Sequence, residues 1–434
     1  MSATAQNVTG QDTPAQGATA GSASDAGAPP TGTPPENAPA PSPSGAGAPG
    51  EGTLSELRKR ADELLPELAA GAARRELERE LPHREIRALA DAGLLTFRIP
   101  AAYGGGGASV AEVFGFLIAL AAADSNIAQA LRPSYGRVEH LLAASEADRE
   151  RWFPRFLAGD VFGNAGWEIG GANGEVRTRI DGDGVVNGSK YYSTGALYSD
   201  WISASAVDDA GERVFFTVPR DREGLELLDD FDGIGQRLTA SGTTLLNGVK
   251  VAPEEIAARP AGGGGRSPVS AFMQLYLAGV LAGIARGALA DAVAFTRERA
   301  RPIQHSGVSR SVDDPYVRHT VGEISARAYA AESAVLHAAS AIDRAWAGGL
   351  DADLLTDAAV QVAQAQFIAA ESALKASELV FDVGGGSAVA RKHNLDRHWR
   401  NARTVTNHNP RAWKAAVVGA YHLTGEQPPV NGLF

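Results

Sequence analysis

Hydrophobic positions first recur with helical spacing from residue 54 onward. Leucines there repeat at intervals of three, four and seven residues, which places them on one face of a helix: Leu54, Leu57, Leu64, Leu65 and Leu68. A second helix is predicted from Pro82, a favoured first-turn residue, to Gly93. Ser109 and Glu112 form a capping-box pattern before an apolar run, which predicts a largely buried helix.

The pattern changes between Asp160 and about Ala258. β-Branched and aromatic residues alternate with polar ones, and turn pairs such as Asn247-Gly248 separate the runs, as in an antiparallel β-domain. After Pro268 the helical spacing returns in three long segments, whose lengths suit a helical bundle. These segments are 268 to 300, 315 to 347 and 352 to 382.

Three glycines at four-residue spacing in the first long segment, Gly279, Gly283 and Gly287, resemble a membrane helix-dimer motif. Polar residues interrupt the same segment, which argues against a membrane span: Gln274, Arg286, Asp291 and Arg297. The small residues are instead expected to allow close packing of helices.

The predicted fold class is therefore α+β, mainly α, with four parts. Residues 1–52 are almost entirely Ala, Gly, Pro, Ser and Thr, so we predict a disordered tail without a secretory signal. An N-terminal helical domain (53–159), an antiparallel β-domain (160–262) and a C-terminal four-helix bundle (263–434) follow. The glycines at 262 to 265 predict a flexible join before the bundle.

Composition narrows the classes of function. The formal net charge of -11 and a pI near 5.4 argue against a nucleic-acid partner, which needs clustered Lys and Arg. The absence of cysteine excludes disulfides, thiolate nucleophiles and Cys-ligated metal sites, and it is compatible with a cytoplasmic protein. No metal site and no membrane partner are predicted.

Six local strings carry a resemblance to a known family. They are AAYGGGGASV (101 to 110), FGNAGWE (162 to 168), NGSKYYSTGALYSDW (187 to 201), DDFDGIGQRLTASGTT (229 to 244), RERARP (297 to 302) and DRHWRNARTVTNHNP (396 to 410). In this order the chain resembles the acyl-CoA dehydrogenase superfamily over about residues 54 to 425, and more narrowly its flavin-dependent monooxygenases. The resemblance implies that family's fold and a homotetramer built through the C-terminal bundle.

The resemblance also implies a set of flavin-binding residues. It puts Thr194 beside the flavin N5 edge and Tyr192 against the ring, with Ser193 between them, and Asn164 at the flavin or substrate face. Two arginines at the end of the first bundle helix would hold the cofactor phosphate, and a glycine run would approach the cofactor of a neighbouring subunit. These residues are Arg299, Arg301, Gly384, Gly385 and Gly386. From the residues alone, RERAR is also an ordinary basic helix end, and the glycine run a helix C-cap.

The string at 396 to 410 distinguishes a dehydrogenase from a monooxygenase. Acyl-CoA dehydrogenases with their base in this loop carry a glutamate at or next to the position of Asn409, which cannot accept that proton, and other family members carry the glutamate on another helix. His408 instead resembles the histidine of the desulfurising monooxygenases and is expected to relay protons. An isolated loop histidine also commonly serves as a hydrogen-bonding strut.

Two departures from the monooxygenase pattern occur. Ser134 stands where those enzymes carry a histidine over the flavin, beside Tyr135, and Trp167 replaces a serine. Ser134 is kept as a candidate catalytic residue, and Tyr135, Trp167 and Asn409 are expected to line the substrate pocket. A changed pocket argues against dibenzothiophene or a simple sulfone as substrate.

The predicted function is a two-component monooxygenase. A separate NAD(P)H-dependent flavin reductase would supply reduced FMN, or FAD, which reacts with oxygen to give a C4a-(hydro)peroxyflavin and oxygenates sulfur, nitrogen or activated carbon in a small molecule. The sequence has no Gly-x-Gly-x-x-Gly unit between a predicted strand and a predicted helix, so no nicotinamide site is predicted in this chain. An acyl-CoA dehydrogenase or oxidase and a non-catalytic flavin carrier remain the alternatives.

Overall fold

A computed structural model describes residues 53–170, 175–257 and 265–434. The predicted tail and the glycines 262 to 264 lie outside these ranges. Within them the chain runs from helices to a sheet and back to helices, which confirms the predicted fold class.

The N-terminal part is helical because capping residues and apolar runs alternate. Thr53 and Ser109 each accept a hydrogen bond from the backbone N–H of a glutamate three residues on, and that glutamate's carboxylate accepts from the cap's own N–H. The capping box predicted at Ser109 is thereby confirmed. The helices are α1 (Leu54–Glu78), α2 (His83–Asp91), α3 (Val110–Ala123), α4 (Ser125–Ala130), α5 (Arg132–Leu142) and α6 (Glu146–Leu157).

A seven-stranded sheet follows. Its strands are β1 (Phe162–Ala165), β2 (Arg179–Ile180), β3 (Val185–Lys190), β4 (Trp201–Val207), β5 (Arg213–Pro219), β6 (Leu225–Leu227) and β7 (Thr244–Lys250). They lie in the order β1-β4-β2-β3-β7-β6, with β5 on β4. Most pairings are antiparallel, as predicted, but β1 and β2 both pair with β4 in parallel, so the sheet is mixed.

The C-terminal part consists of three long helices and two shorter ones. They are α7 (Pro268–Glu298), α8 (Pro315–Ala347), α9 (Ala352–Leu379), α10 (Asp396–Thr406) and α11 (Arg411–Thr424). The long helices pack on one another, α10 packs on α7 and α9, and α11 packs on α9. The loop 407–410 between α10 and α11 carries His408 and Asn409.

Helix α7 is the centre of the core. Its length and hydropathy would suffice to cross a membrane, but 89% of that apolar window is buried inside the protein. Its glycines sit at close contacts, since a Cβ at Gly283 would lie 2.4 Å from the Cβ of Ala121, and one at Gly287 would lie 2.9 Å from the carbonyl oxygen of Ala122. The glycine spacing therefore reflects close packing of α7 against α3.

Candidate active site

The first wall of the candidate site, which we call the floor, consists of Asn164, Tyr192 to Gly195 and Ser241. The backbone N–H of Asn164 at the end of β1 donates to the Thr194 carbonyl at 3.3 Å. The Thr194 and Ser241 hydroxyl oxygens are 3.0 Å apart. The Oδ1 of Asn164 is buried and has no hydrogen-bond partner among the described residues, so the floor offers an acceptor for a ligand N–H or O–H.

Backbone strain concentrates beside this floor. Six described non-glycine residues have a positive φ, and three of them lie here: Tyr192 at 57°, Gln236 at 54° and Ala240 at 50°. Such backbone costs about 1–3 kcal/mol per residue and persists mostly where function needs it. The Tyr192 side chain is also 54% exposed, which leaves its ring free to contact a ligand.

Segment 236–242 ties the floor to the helices. The backbone N–H of Gln236 donates to the Oδ1 of Asn401 on α10 at 2.7 Å, and the N–H of Leu238 donates to the Oδ1 of Asn126 on α4 at 3.2 Å. The carbonyl of Thr239 accepts from the N–H of Gly195 at 2.9 Å. These backbone groups belong to the string 229 to 244, whose sequence carries no signal for this role. They fix the floor against both helical parts.

Gly195 brings the corner between α4 and α5 to the floor. Its φ is 76°, and a Cβ there would lie only 2.3 Å from the carbonyl oxygen of Ala130 and 3.8 Å from the ring of Pro133. Only glycine fits this approach. Arg132 and Pro133 begin α5 at this corner.

A second group of residues, which we call the roof, consists of Arg132, Gln274, His408 and Asn409. The Arg132 guanidinium donates to the Met273 carbonyl at 3.1 and 3.3 Å. The Nδ2 of Asn409 donates to the Oε1 of Gln274 at 2.5 Å. These contacts hold the loop 407–410 against the start of α7.

His408 is a neutral imidazole in this setting. Crowding by the surrounding chain lowers its pKa, and the positive charge of Arg132 and the weaker effect of Lys414 lower it further. The His408 residue is nevertheless exposed at the surface of the loop. A neutral imidazole at neutral pH can donate one hydrogen bond and accept another.

Three residues expected in the site are instead held by internal contacts. The Ser134 hydroxyl is fully buried, donates to the Phe162 carbonyl at 3.0 Å and accepts from the Phe162 N–H at 2.9 Å, so it joins α5 to β1. Tyr135 is buried in the core, where its hydroxyl donates to the Leu94 carbonyl at 2.6 Å. The buried Ser193 hydroxyl accepts from that of Thr244 at 2.8 Å. Their geometry is that of positioning residues.

Trp167 lies at the rim next to Tyr192. Its carbonyl accepts from the N–H of Tyr191 at 2.8 Å, and the Tyr191 and Tyr192 rings meet edge to face at 4.7 Å. The Trp167 side chain is 49% exposed. Beneath it, Glu168 and Lys190 form an ion pair at 2.5 Å that is nearly free of solvent.

Glu168 is held as a carboxylate by this ion pair. Burial alone would raise the pKa of Glu168, but the hydrogen bond from Lys190 and others from the backbone and Thr178 outweigh it and lower the pKa to about 2. The rim is thereby anchored to the end of β3.

The residues expected to hold the phosphate form a separate group at the end of α7. Arg299 has its Nη1 3.4 Å from the Nδ1 of His393, whose ring meets that of Phe295 edge to face at 5.1 Å. A Cβ at Gly384 would lie 2.3 Å from the same Phe295 ring. Arg301, Gly385 and Gly386 are exposed nearby in sequence. In the part of the chain that the structure describes, no hydrogen bond or ion pair joins this group to the floor or the roof.

Known proteins match both helical parts of the chain. The family described as "Acyl-CoA dehydrogenase, N-terminal domain" matches residues 53–160, and "Acyl-CoA dehydrogenase, C-terminal domain" matches residues 275–411. A probable FMNH2-dependent monooxygenase, SfnC of Pseudomonas putida, is 32% identical over 85% of this chain and 95% of its own length.

Two solved structures share the fold. FMN-bound TdsC, a dibenzothiophene monooxygenase from Paenibacillus sp. A11-2, has a TM-score of 0.81 at 29% identity, and the match covers 87% of this chain and all of TdsC. MsuC, a methanesulfinate monooxygenase from Pseudomonas fluorescens, has a TM-score of 0.77 at 31% identity over 87% of this chain and 99% of its own.

Proposed function

The chain belongs to the acyl-CoA dehydrogenase family, among its flavin-dependent monooxygenases, and we propose that its cleft between floor and roof oxygenates a small organic molecule. It is an oxidoreductase that uses reduced FMN. One atom of O2 enters the substrate and the other leaves as water, with two electrons and two protons from the reduced flavin, which a separate reductase supplies.

The observation that carries this proposal is the chemistry of the roof. A dehydrogenase with its base in this loop uses a carboxylate there to remove a proton from carbon, whereas the roof presents the Asn409 amide, hydrogen-bonded to Gln274, and the imidazole of His408. In the described residues no hydrogen bond or ion pair brings a carboxylate to Asn409 or His408. The roof is therefore suited to moving protons to and from oxygen.

The floor fits a flavin ring. The unpartnered Oδ1 of Asn164 suits a ring N–H, the Thr194 hydroxyl lies beside that of Ser241, and the exposed Tyr192 suits a flat ring. When bound, the reduced flavin supplies the electrons that activate O2. Thr194 would orient the reacting edge, and His408 would relay a proton.

We propose that the phosphate is held by Arg299 and Arg301, with the glycines 384 to 386 close by. Since these residues lie at the end of α7 and no described hydrogen bond or ion pair links them to the floor or the roof, they would serve the cleft of a neighbouring subunit. We also propose that the working unit is a homotetramer and that its location is the cytoplasm. Ser134 and Tyr135 are proposed to position α5 and not to touch substrate.

The test is anaerobic reduced FMN, mixed with the protein and then with oxygenated buffer in a stopped-flow spectrometer. We expect an absorbing species distinct from reduced and oxidised FMN that decays slowly before oxidised FMN appears. Thr194→Val should shorten its lifetime at least tenfold, and the exposed Thr424→Val is the matched control. Oxidation as fast as that of free FMN, or reduction of a bound flavin by an acyl-CoA, would overturn the proposal.

A further inference from the structure

Behind the roof lies a cavity that the flavin chemistry does not need. It is a small void of about 20 Å³ between α7, α9, α10 and α11 that opens to solvent. One side is apolar, formed by Leu277, Leu281, Ala370 and Val405. The other side is polar and carries Gln366, Asn409, Arg411 and Lys414. A void of this size holds one small polar group, such as the acidic group of a larger molecule that extends out of its mouth.

Lys414 is the main charge in this cavity. It is 2% exposed, and no described carboxylate lies within salt-bridge distance of its ammonium group. Its Nζ donates to the Leu433 carbonyl and lies 3.8 Å from the centre of the Phe434 ring. Burial of a lysine without an acidic partner is costly, and it lowers the pKa of Lys414 to about 7.

Two further polar atoms of the cavity wall lack partners. The Nη1 of Arg411 and the Oε1 of Gln366 are both buried and make no hydrogen bond to described residues. The Nε of Arg411 is paired with Glu371 at 2.7 Å, so the free Nη1 is held in place. Gln366 itself is 7% exposed, and its Nε2 donates to the carbonyl of Gln274 at 2.7 Å.

The cavity adjoins the proposed reaction site. Asn409 belongs both to the cavity wall and to the roof, through its hydrogen bond to Gln274. The charge of Lys414 also acts on the neighbouring His408, together with that of Arg132. A ligand held at Lys414 would therefore lie beside Asn409, the chain neighbour of His408.

We propose that this cavity binds the acidic group of the substrate, so that the enzyme acts on a small organic anion whose carboxylate or sulfur oxyacid pairs with Lys414 and Arg411. This inference rests on the proposed function and adds the class of substrate. A charge-assisted pair in a buried site is the strong form of hydrogen bond, and it would supply the counterion that Lys414 lacks.

Segment 428–434 packs against Lys414 and Gln274 and offers a competing role for Lys414. Besides the Leu433 carbonyl on Lys414, the carbonyl of Gly432 accepts from the Nε2 of Gln274 at 2.7 Å, and that of Pro428 accepts from Arg266 at 2.6 Å. Lys414 could therefore simply anchor this segment. The experiment must separate anchoring from ligand binding.

The experiment is calorimetric titration of the FMN-loaded protein with benzenesulfinate and benzoate, and with the neutral methyl phenyl sulfoxide and benzamide. We expect each acid to bind at least tenfold more tightly than its neutral counterpart. Lys414→Met should weaken acid binding about 10- to 100-fold and change neutral binding little. The exposed Lys59→Met is the matched control. Equal binding of acids and neutral compounds to the native chain would overturn the inference.

A chain that lacks residues 431–434 separates the two roles. If Lys414 contacts the acid directly, loss of the segment frees its Nζ and acid affinity stays equal or rises. If Lys414 acts only through the segment, the truncated chain loses acid affinity as Lys414→Met does, which also overturns the inference. Arg411→Gln serves if Lys414→Met fails to fold, and we expect it to lower acid affinity several-fold.

Turnover with the reductase distinguishes the two acids, because mass spectrometry shows whether sulfinate becomes sulfonate or benzoate gains a hydroxyl group. The stopped-flow test of the flavin needs no substrate. A slow-decaying species together with absent acid selectivity would reject the substrate class alone, whereas acid binding without that species would reject the proposed function.

Discussion

The left-handed backbone at Tyr192 should store strain that glycine relieves. A non-glycine residue at φ 57° costs about 1–2 kcal/mol, whereas glycine adopts it freely but adds about 0.5–1 kcal/mol of chain entropy to the unfolded state. Because the Tyr192 side chain is half exposed, little packing is lost on its removal. Tyr192→Gly should therefore leave the free energy of unfolding unchanged or raise it by up to about 1 kcal/mol.

Tyr191 supplies the matched control. It lies next in the chain, outside the set of described residues with positive φ, and its N–H donates to the Trp167 carbonyl. Tyr191→Gly should lower the free energy of unfolding by about 1–2 kcal/mol, from added chain entropy and lost packing. Urea unfolding followed by tryptophan fluorescence measures both variants.

The same substitution should impair cofactor binding. An aromatic ring contact contributes about 0.5–1.5 kcal/mol, so Tyr192→Gly should raise the Kd for reduced FMN about three- to tenfold in anaerobic titrations. Equal destabilisation by the two glycine variants would refute the strain argument. An unchanged Kd would remove Tyr192 from the flavin site.

Three further outcomes follow from the contacts. Glu168→Gln should lower the free energy of unfolding by about 3–5 kcal/mol, because Lys190 is left buried and unpaired. Since the pKa of Glu168 is lowered to about 2, the native chain should keep this stability above pH 4.5 and lose it as the pH falls toward 2. Ser134→Ala should lower stability by about 1–3 kcal/mol by freeing the buried N–H of Phe162, with kcat of the folded enzyme unchanged in the reductase-coupled assay. Benzenesulfinate affinity should be steady below about pH 6 and fall about tenfold per pH unit above 7, as Lys414 loses its proton, and calorimetry at several pH values would show a flat profile if Lys414 is not the partner.

Local signals in the sequence predicted most of the fold. Capping residues, helical spacing and turn pairs act within a few residues, so the bounds of the long C-terminal helices were predicted to within three residues of those observed. The parallel pairing of β1 with β4 was not predicted, because it joins strands separated by a long stretch of chain and leaves no local signal.

The site divides in the same way. Asn164, Tyr192 and Thr194 come from one motif and its neighbouring strand, and these positions meet in the structure. Ser134 was kept as a catalytic candidate by position in a motif, but motif position does not reveal which way a side chain on a helix points. Lys414 was missed because a lone lysine in an amphipathic helix normally lies in solvent, and only packing against 432 to 434 shows that it is buried.

The hydrogen bonds from segment 236–242 to Asn126 and Asn401 fix the distance between this segment and the helices α4 and α10. Helix α10 carries Asn401 and runs directly into the loop of His408, so widening the gap by shifting α10 would break the bond that positions Gln236. Because this spacing is fixed, such an enzyme would change its choice of substrate mainly by exchanging side chains that line the cleft. Attempts to broaden its range should therefore start with small residues in place of Trp167 and leave the two asparagines untouched.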